Sequence, residues 1–79
     1  MPIAGAIVVP VRKEDASGLQ LKLAAVSGVD VEDIGPKGIA IVLEADSNWE
    51  LKKISNEIEQ WDDVLEFELA YFNWEDTIE

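Results

Sequence analysis

Twice along this chain the spacing of apolar residues switches from every second position to a helical period and back, and that pattern leaves few folds open. Ile3 to Val9 is rich in strand formers and ends at Pro10, which cannot donate to a sheet ladder. Residues 14–26 then place Ala16, Leu19, Leu23 and Val26 on one helical face. Gly18 weakens that helix by up to about 1 kcal/mol relative to Ala, so its first turn is expected to fray. Ser27-Gly28 closes it, with Gly28 suited to the left-handed position after a helix. Val29-Asp30-Val31-Glu32 alternates apolar and acidic, Gly35-Pro36-Lys37-Gly38 is dense in turn formers, and Ile39 to Glu44 is again strand-like, so residues 29–44 read as a hairpin. Ser47 and Glu50 have capping-box spacing. They open a helix to about Trp61, with Leu51, Ile54, Ile58 and Trp61 facing inward. Asp62-Asp63 is a turn, Val64 to Phe72 alternates as a last strand, and residues 73–79 form a short acidic tail.

The order β-α-β-β-α-β predicts an α+β ferredoxin-like fold: a four-stranded antiparallel sheet in the order 4-1-3-2 with two helices on one face. At 79 residues, with no linker, the chain reads as a single domain, 1–79. A weak internal repeat relates residues 3–34 to 39–72.

Composition narrows the chemistry. Without Cys there are no disulfides and no thiolate zinc site; without His the commonest general base and metal ligand is gone. No Asp-x-Asp-x-Asp-Gly spacing suggests a calcium loop. The expectation is a non-enzyme without cofactor or metal. Lys and Arg number 6 against 17 Asp and Glu, for a net charge of −11. Such a surface disfavours nucleic acid and anionic membranes and attracts cationic peptides, although acids also serve solubility alone. Of the acids, 9 follow Lys53, after which there is no basic residue. The apolar start lacks a basic leader region and stops at Pro10, too short to target or span, so a soluble cytoplasmic protein without direct membrane insertion is expected.

Strand alternation assigns faces. Choosing the bulky positions as core puts Ile3, Ile7, Val9, Val29, Val31, Ile39, Ile41, Leu43, Leu65, Phe67, Leu69 and Tyr71 under the helices. The open face then carries small Ala4, Ala6, Val8, Ala40 and Val42 on its central strands. Asp30 and Glu32 stand on one side, Glu66 and Glu68 on the other, Glu44 at one end, and Ala70 and Phe72 along the last strand. A shallow apolar trough walled by carboxylates would accept an amphipathic helix flanked by Arg or Lys. The same acids could simply keep an exposed sheet soluble and block edge pairing. Glu66 and Glu68, on a wet surface with no nucleophile nearby, are poor acid–base catalysts. Trp61 reads as core and Trp49 as partly exposed. Trp74 reads as an aromatic that docks the C-terminus onto the domain, or else as a partner contact.

The chain resembles the NapD family, small cytoplasmic chaperones of periplasmic nitrate reductase, over nearly its full length. The resemblance rests on Ile3–Val9, Leu23-Ala-Ala-Val-Ser-Gly-Val-Asp-Val-Glu32, Gly38-Ile-Ala-Ile-Val-Leu-Glu44 and Val64-Leu-Glu-Phe-Glu-Leu-Ala-Tyr71. Ser27, Asp63 and Phe72 stand where the family often has Pro, Gly and His. The resemblance implies a ferredoxin-like fold and binding of the twin-arginine signal peptide of the molybdenum-containing catalytic subunit, as a helix against the sheet. Export would then wait for insertion of the molybdenum cofactor. On this reading the peptide-binding residues are Ala4, Ala6, Val8, Ala40, Val42, Glu44, Glu66, Glu68, Ala70 and Phe72.

Other proteins of this topology fit less well. A small-molecule regulatory domain of the ACT type is the alternative, but Pro10-Val-Arg-Lys-Glu14 lacks its glycine-containing loop. An RNA-recognition module needs stacking aromatics on the central strands. Metal-chaperone domains need Cys pairs, and an acylphosphatase needs a shaped loop around Arg12.

Overall fold

The computed structural model describes residues 2–73, with side chains through residue 70. Of the expected tail 73–79, Asn73 instead ends the last strand, and residues 74–79 lie outside the described residues. Strand β1 (Ile3–Pro10) leads through a short 3-10 turn, Lys13–Asp15, into helix α1 (Ala16–Ala24). Strands β2 (Val29–Gly35) and β3 (Gly38–Glu44) form the hairpin, followed by α2 (Asn48–Glu59) and β4 (Val64–Asn73). All pairings are antiparallel and the sheet order is β2-β3-β1-β4. This is the expected ferredoxin-like arrangement.

Local sequence explains the boundaries. The 3-10 turn takes the place of the first turn expected of α1, ahead of Gly18, and no side chain caps the helix start. By contrast, α2 starts sharply: Ser47 is extended, and its Oγ accepts a hydrogen bond from the Glu50 N–H at 3.2 Å. Gly28 has φ of +89° where the chain leaves α1 for β2. Its carbonyl accepts from the Glu44 N–H at 2.8 Å, so the turn is stitched to the end of β3.

One core holds the molecule together. Leu19 and Leu23 of α1 and Leu51 and Ile58 of α2 pack with Val29, Ile39, Ile41 and Leu43 of the sheet, and with half-buried Ile54, Trp61 and Phe67. Fully burying each large aliphatic side chain contributes about 1.5–3 kcal/mol. Lys22 links the helices at the surface, its Nζ 4.5 Å from the centre of the Trp61 ring and 3.4 Å from Asp63 Oδ1. Both partners of that ion pair are solvated, so it adds little.

The register corrects the expected faces of β1. Ala4, Ala6 and Val8 pair with Leu43, Ile41 and Ile39, and all lie in the core at 2% exposure or less. The open side of β1 therefore carries Ile3, Ile7 and Val9, each half-buried. The physical reason is that β1 is apolar at every position, so alternation between polar and apolar gives no phase. Bulk misleads because the large side chains of β3 and the helices already fill the helix side, leaving room there only for small residues. Leu65, expected in the core, sits at the irregularity between Val9 and Pro10 and is 62% exposed.

Two pairs of substitutions test this fold. Gly28→Ala would place a Cβ 2.5 Å from the Glu44 carbonyl oxygen at a left-handed φ, and should destabilise by about 1–3 kcal/mol. Gly18→Ala meets nothing within 4 Å and should stabilise by roughly 0.5–1 kcal/mol. Urea midpoints measure both. Ala6→Glu should unfold the domain, because it buries an unpaired carboxylate. Ala40→Glu should leave the circular dichroism spectrum native; the reverse result would invert the faces.

Candidate functional site

The sheet face away from the helices is built in rows that the pairing defines. Glu68, Ile7, Ala40 and Asp33 share one row from β4 across β1 and β3 to β2. The next row holds Gly5, Val42 and Asp30, with Tyr71 as the β4 partner of Gly5. Ile3 lies between Glu44 and Asn73 at one end, and Val9 pairs with Glu66 towards the other. Among the described residues no element packs on this face.

Its centre is an apolar strip: Ile3, Ile7 and Val9 on β1 beside Ala40 and Val42 on β3, all half-buried. Exposed carboxylates border it, Asp30 and Asp33 on the outer strand β2, Glu66 and Glu68 on the outer strand β4, and Glu44 at the end. Asp33 Oδ1 also accepts a hydrogen bond from the Ile34 N–H at 2.9 Å, which steadies one side of this border. The outer strands stand about 14 Å apart, three strand spacings of ~4.8 Å, and a helix with its side chains is roughly 10–12 Å across. A single helix therefore fits between the acidic borders.

Charge on the strands has one sign. All 6 basic residues lie elsewhere: Arg12 and Lys13 after β1, Lys22 on α1, Lys37 in the hairpin turn, Lys52 and Lys53 on α2. A cation approaching the strip meets exposed carboxylates with no basic residue on the strands to offset them.

The residues expected at the site are divided by the structure. Ala40, Val42, Glu44, Glu66 and Glu68 share the open face. Ala4, Ala6 and Val8 do not belong there, being core residues. Ala70 is exposed at the register shift between Gly5 and Ala6. Position 72 pairs with Ala4, and the Phe72 side chain lies outside the described residues. Ile3, Ile7, Val9 and Asp33 were missed. The last was legible: counting back from the two-residue turn Pro36-Lys37 sets Gly35 opposite Gly38, Ile34 opposite Ile39 and Asp33 opposite Ala40. A bulge between Val31 and Asp33 takes Glu32 out of the alternation instead.

Among the described residues no group of His, Cys, Asp or Glu is placed to hold a metal ion, and no helix is long and apolar enough to cross a membrane. A crevice of about 540 Å³ lies apart from the strip, between the Gly28 turn and α2, with Glu44, Asp46, Trp49 and Ile54 in its walls.

No curated protein matches the chain. Among solved structures, the solution structure of the E. coli Tat proofreading chaperone protein NapD is similar, with a TM-score of 0.80 at 24% identity, covering 98% of this chain and 82% of that one. That likeness establishes the shared fold. The family model described as NapD protein matches residues 1–76, and with nearly the whole chain accounted for, this protein belongs to the NapD family.

Proposed function

We propose that this chain is a NapD-type chaperone whose open sheet face binds the twin-arginine signal peptide of a periplasmic nitrate reductase catalytic subunit, in the cytoplasm. Binding would delay export until the molybdenum cofactor is in place. Family membership supports this reading, as does the fold shared with a protein described as a Tat proofreading chaperone. The observation that carries it is the face itself, an apolar strip between outer strands about one helix width apart, where among the described residues every charged group on the border is a carboxylate. A signal peptide coiled as a helix would lay its apolar stripe on Ile3, Ile7, Val9, Ala40 and Val42. Its arginine pair would meet the acids at the border. Membership in this family leaves the small-molecule regulator without support.

Titration with a twin-arginine peptide tests the reading. Affinity should fall as salt rises, because exposed charges are screened beyond about 8 Å at physiological ionic strength. Replacing both arginines by Gln should raise Kd roughly ten- to thirtyfold, at ~0.7–1 kcal/mol for each partly exposed ion pair. No binding at any salt would end the proposal, and an unchanged affinity with the Gln peptide would end the role given to the acids.

Substitutions separate strip from border. Ala40→Glu puts bulk and charge on the strip and should abolish peptide binding by a folded protein. Glu66→Lys with Glu68→Lys should mainly slow association, since border charges act on encounter; stopped-flow measurements read that directly. Normal binding by Ala40→Glu would move the site elsewhere.

A further inference from the structure

The acidic border of the open face has one apolar interruption. Val64 is buried on the helix side, so alternation turns Leu65 to the open side. Val9 pairs with Glu66 and Pro10 with Val64, which makes Leu65 the extra residue of a bulge and keeps Glu66 on the open side after it. Leu65 is 62% exposed. Among the described residues it is the one large apolar side chain on the open side of either outer strand, where Asp30, Asp33, Glu66 and Glu68 otherwise stand. Half-buried Val9 lies beside it on β1. The Val11 N–H donates to the Asp63 carbonyl at 3.1 Å, which holds half-exposed Val11 at the same corner.

The diagonally opposite corner is different in kind. Val42 on β3 pairs with Asp30 of β2, and two residues on comes Glu44, opposite Ile3. Both carboxylates are exposed. At the Leu65 corner, by contrast, Arg12 follows Val11 directly. From Glu44 to Leu65 the face runs about 22 Å along the strands and ~10 Å across them. That diagonal of roughly 24 Å corresponds to about 16 residues of helix.

We propose that the bound signal peptide lies along this diagonal, with its arginine pair at Glu44 and Asp30 and the apolar run that follows seated on Val9 and Leu65. This rests on the peptide-binding reading above and gives it a direction: the peptide runs roughly parallel to β1. A twin-arginine leader carries its cations ahead of an apolar run of about 7–15 residues, so a diagonal of this length holds both. The positive end of the peptide helix then also faces Glu44 and Asp30. Reversed, the arginines would meet Arg12 and an exposed leucine. The end of the apolar run would press on Asp30 and Glu44 and strip water from carboxylates without giving them a partner.

NMR of the isotope-labelled full chain with a synthetic twin-arginine peptide tests the direction. A nitroxide just ahead of the arginine pair should broaden the amide signals of Val42 and Glu44, and one at the end of the apolar run those of Leu65 and Glu66. Leu65→Ser changes an exposed position, so the circular dichroism should stay native while Kd rises roughly five- to twentyfold. A peptide shortened by its last apolar residues should bind more weakly, and equally to both proteins. Asp30→Asn with Glu44→Gln should remove the advantage of the arginine peptide over its Gln analogue, whereas Glu66→Gln should keep it. The opposite pattern of broadening, or an unchanged Kd for Leu65→Ser, overturns the diagonal while the chaperone reading stands. Absence of binding by the native chain overturns both.

Discussion

The pairing of β1 with β3 at the middle of the sheet decides what both faces can be. It sets Ala4, Ala6 and Val8 beside Leu43, Ile41 and Ile39 under the helices, and Ile7 beside Ala40 on the other side. Each face thus joins a small-residue strand to a large-residue strand. Under the helices β3 brings the bulk and β1 the room for Leu19, Leu23, Leu51 and Ile58 to descend onto the sheet. A slip of one residue would drive Ile3, Ile7 and Val9 into that space and overpack it. The register that relieves the core is the one that sends these residues outward.

The parts of this arrangement that were legible in the sequence are those where polarity carries the phase. Both helices announce themselves by a 3.6-residue spacing and, for α2, by Ser47. On β3 the alternation of Ile39, Ile41 and Leu43 with Ala40, Val42 and Glu44 gives the faces correctly. On β1 no polar residue marks either side, and size pointed the wrong way. The irregularity on β4 was also hidden, since a bulge changes the phase by one residue without any necessary mark in the sequence. On β2 the phase carried forward from Val29 fails at the bulge, and only counting back from the Pro36-Lys37 turn puts Asp33 where Glu32 was expected. The acidic border came through nevertheless, because both outer strands are rich in acids wherever the phase falls.

Electrostatics and topology reinforce each other here. The strands carry acids alone, and the cations sit on the helices, the loop ahead of α1 and the hairpin turn. Outer strands bearing like charge resist pairing with another sheet edge, so the border limits aggregation whatever else it does. It also gives the molecule two unlike parts, strands that carry acids alone and helices and loops that carry both signs.

Whether the acids serve more than solubility turns on the strip between them. A face that needed only to stay wet would carry polar residues along its centre, where each would face water at little cost. Instead Ile3, Ile7, Val9 and Val42 lie there, partly open to solvent. The core has no use for their side chains, which point away from it. A contiguous run of apolar side chains partly open to solvent is a feature that interaction sites share. On the proposed function, the carboxylates border an apolar site, and the strip suits a partner that is apolar along one stripe and cationic beside it.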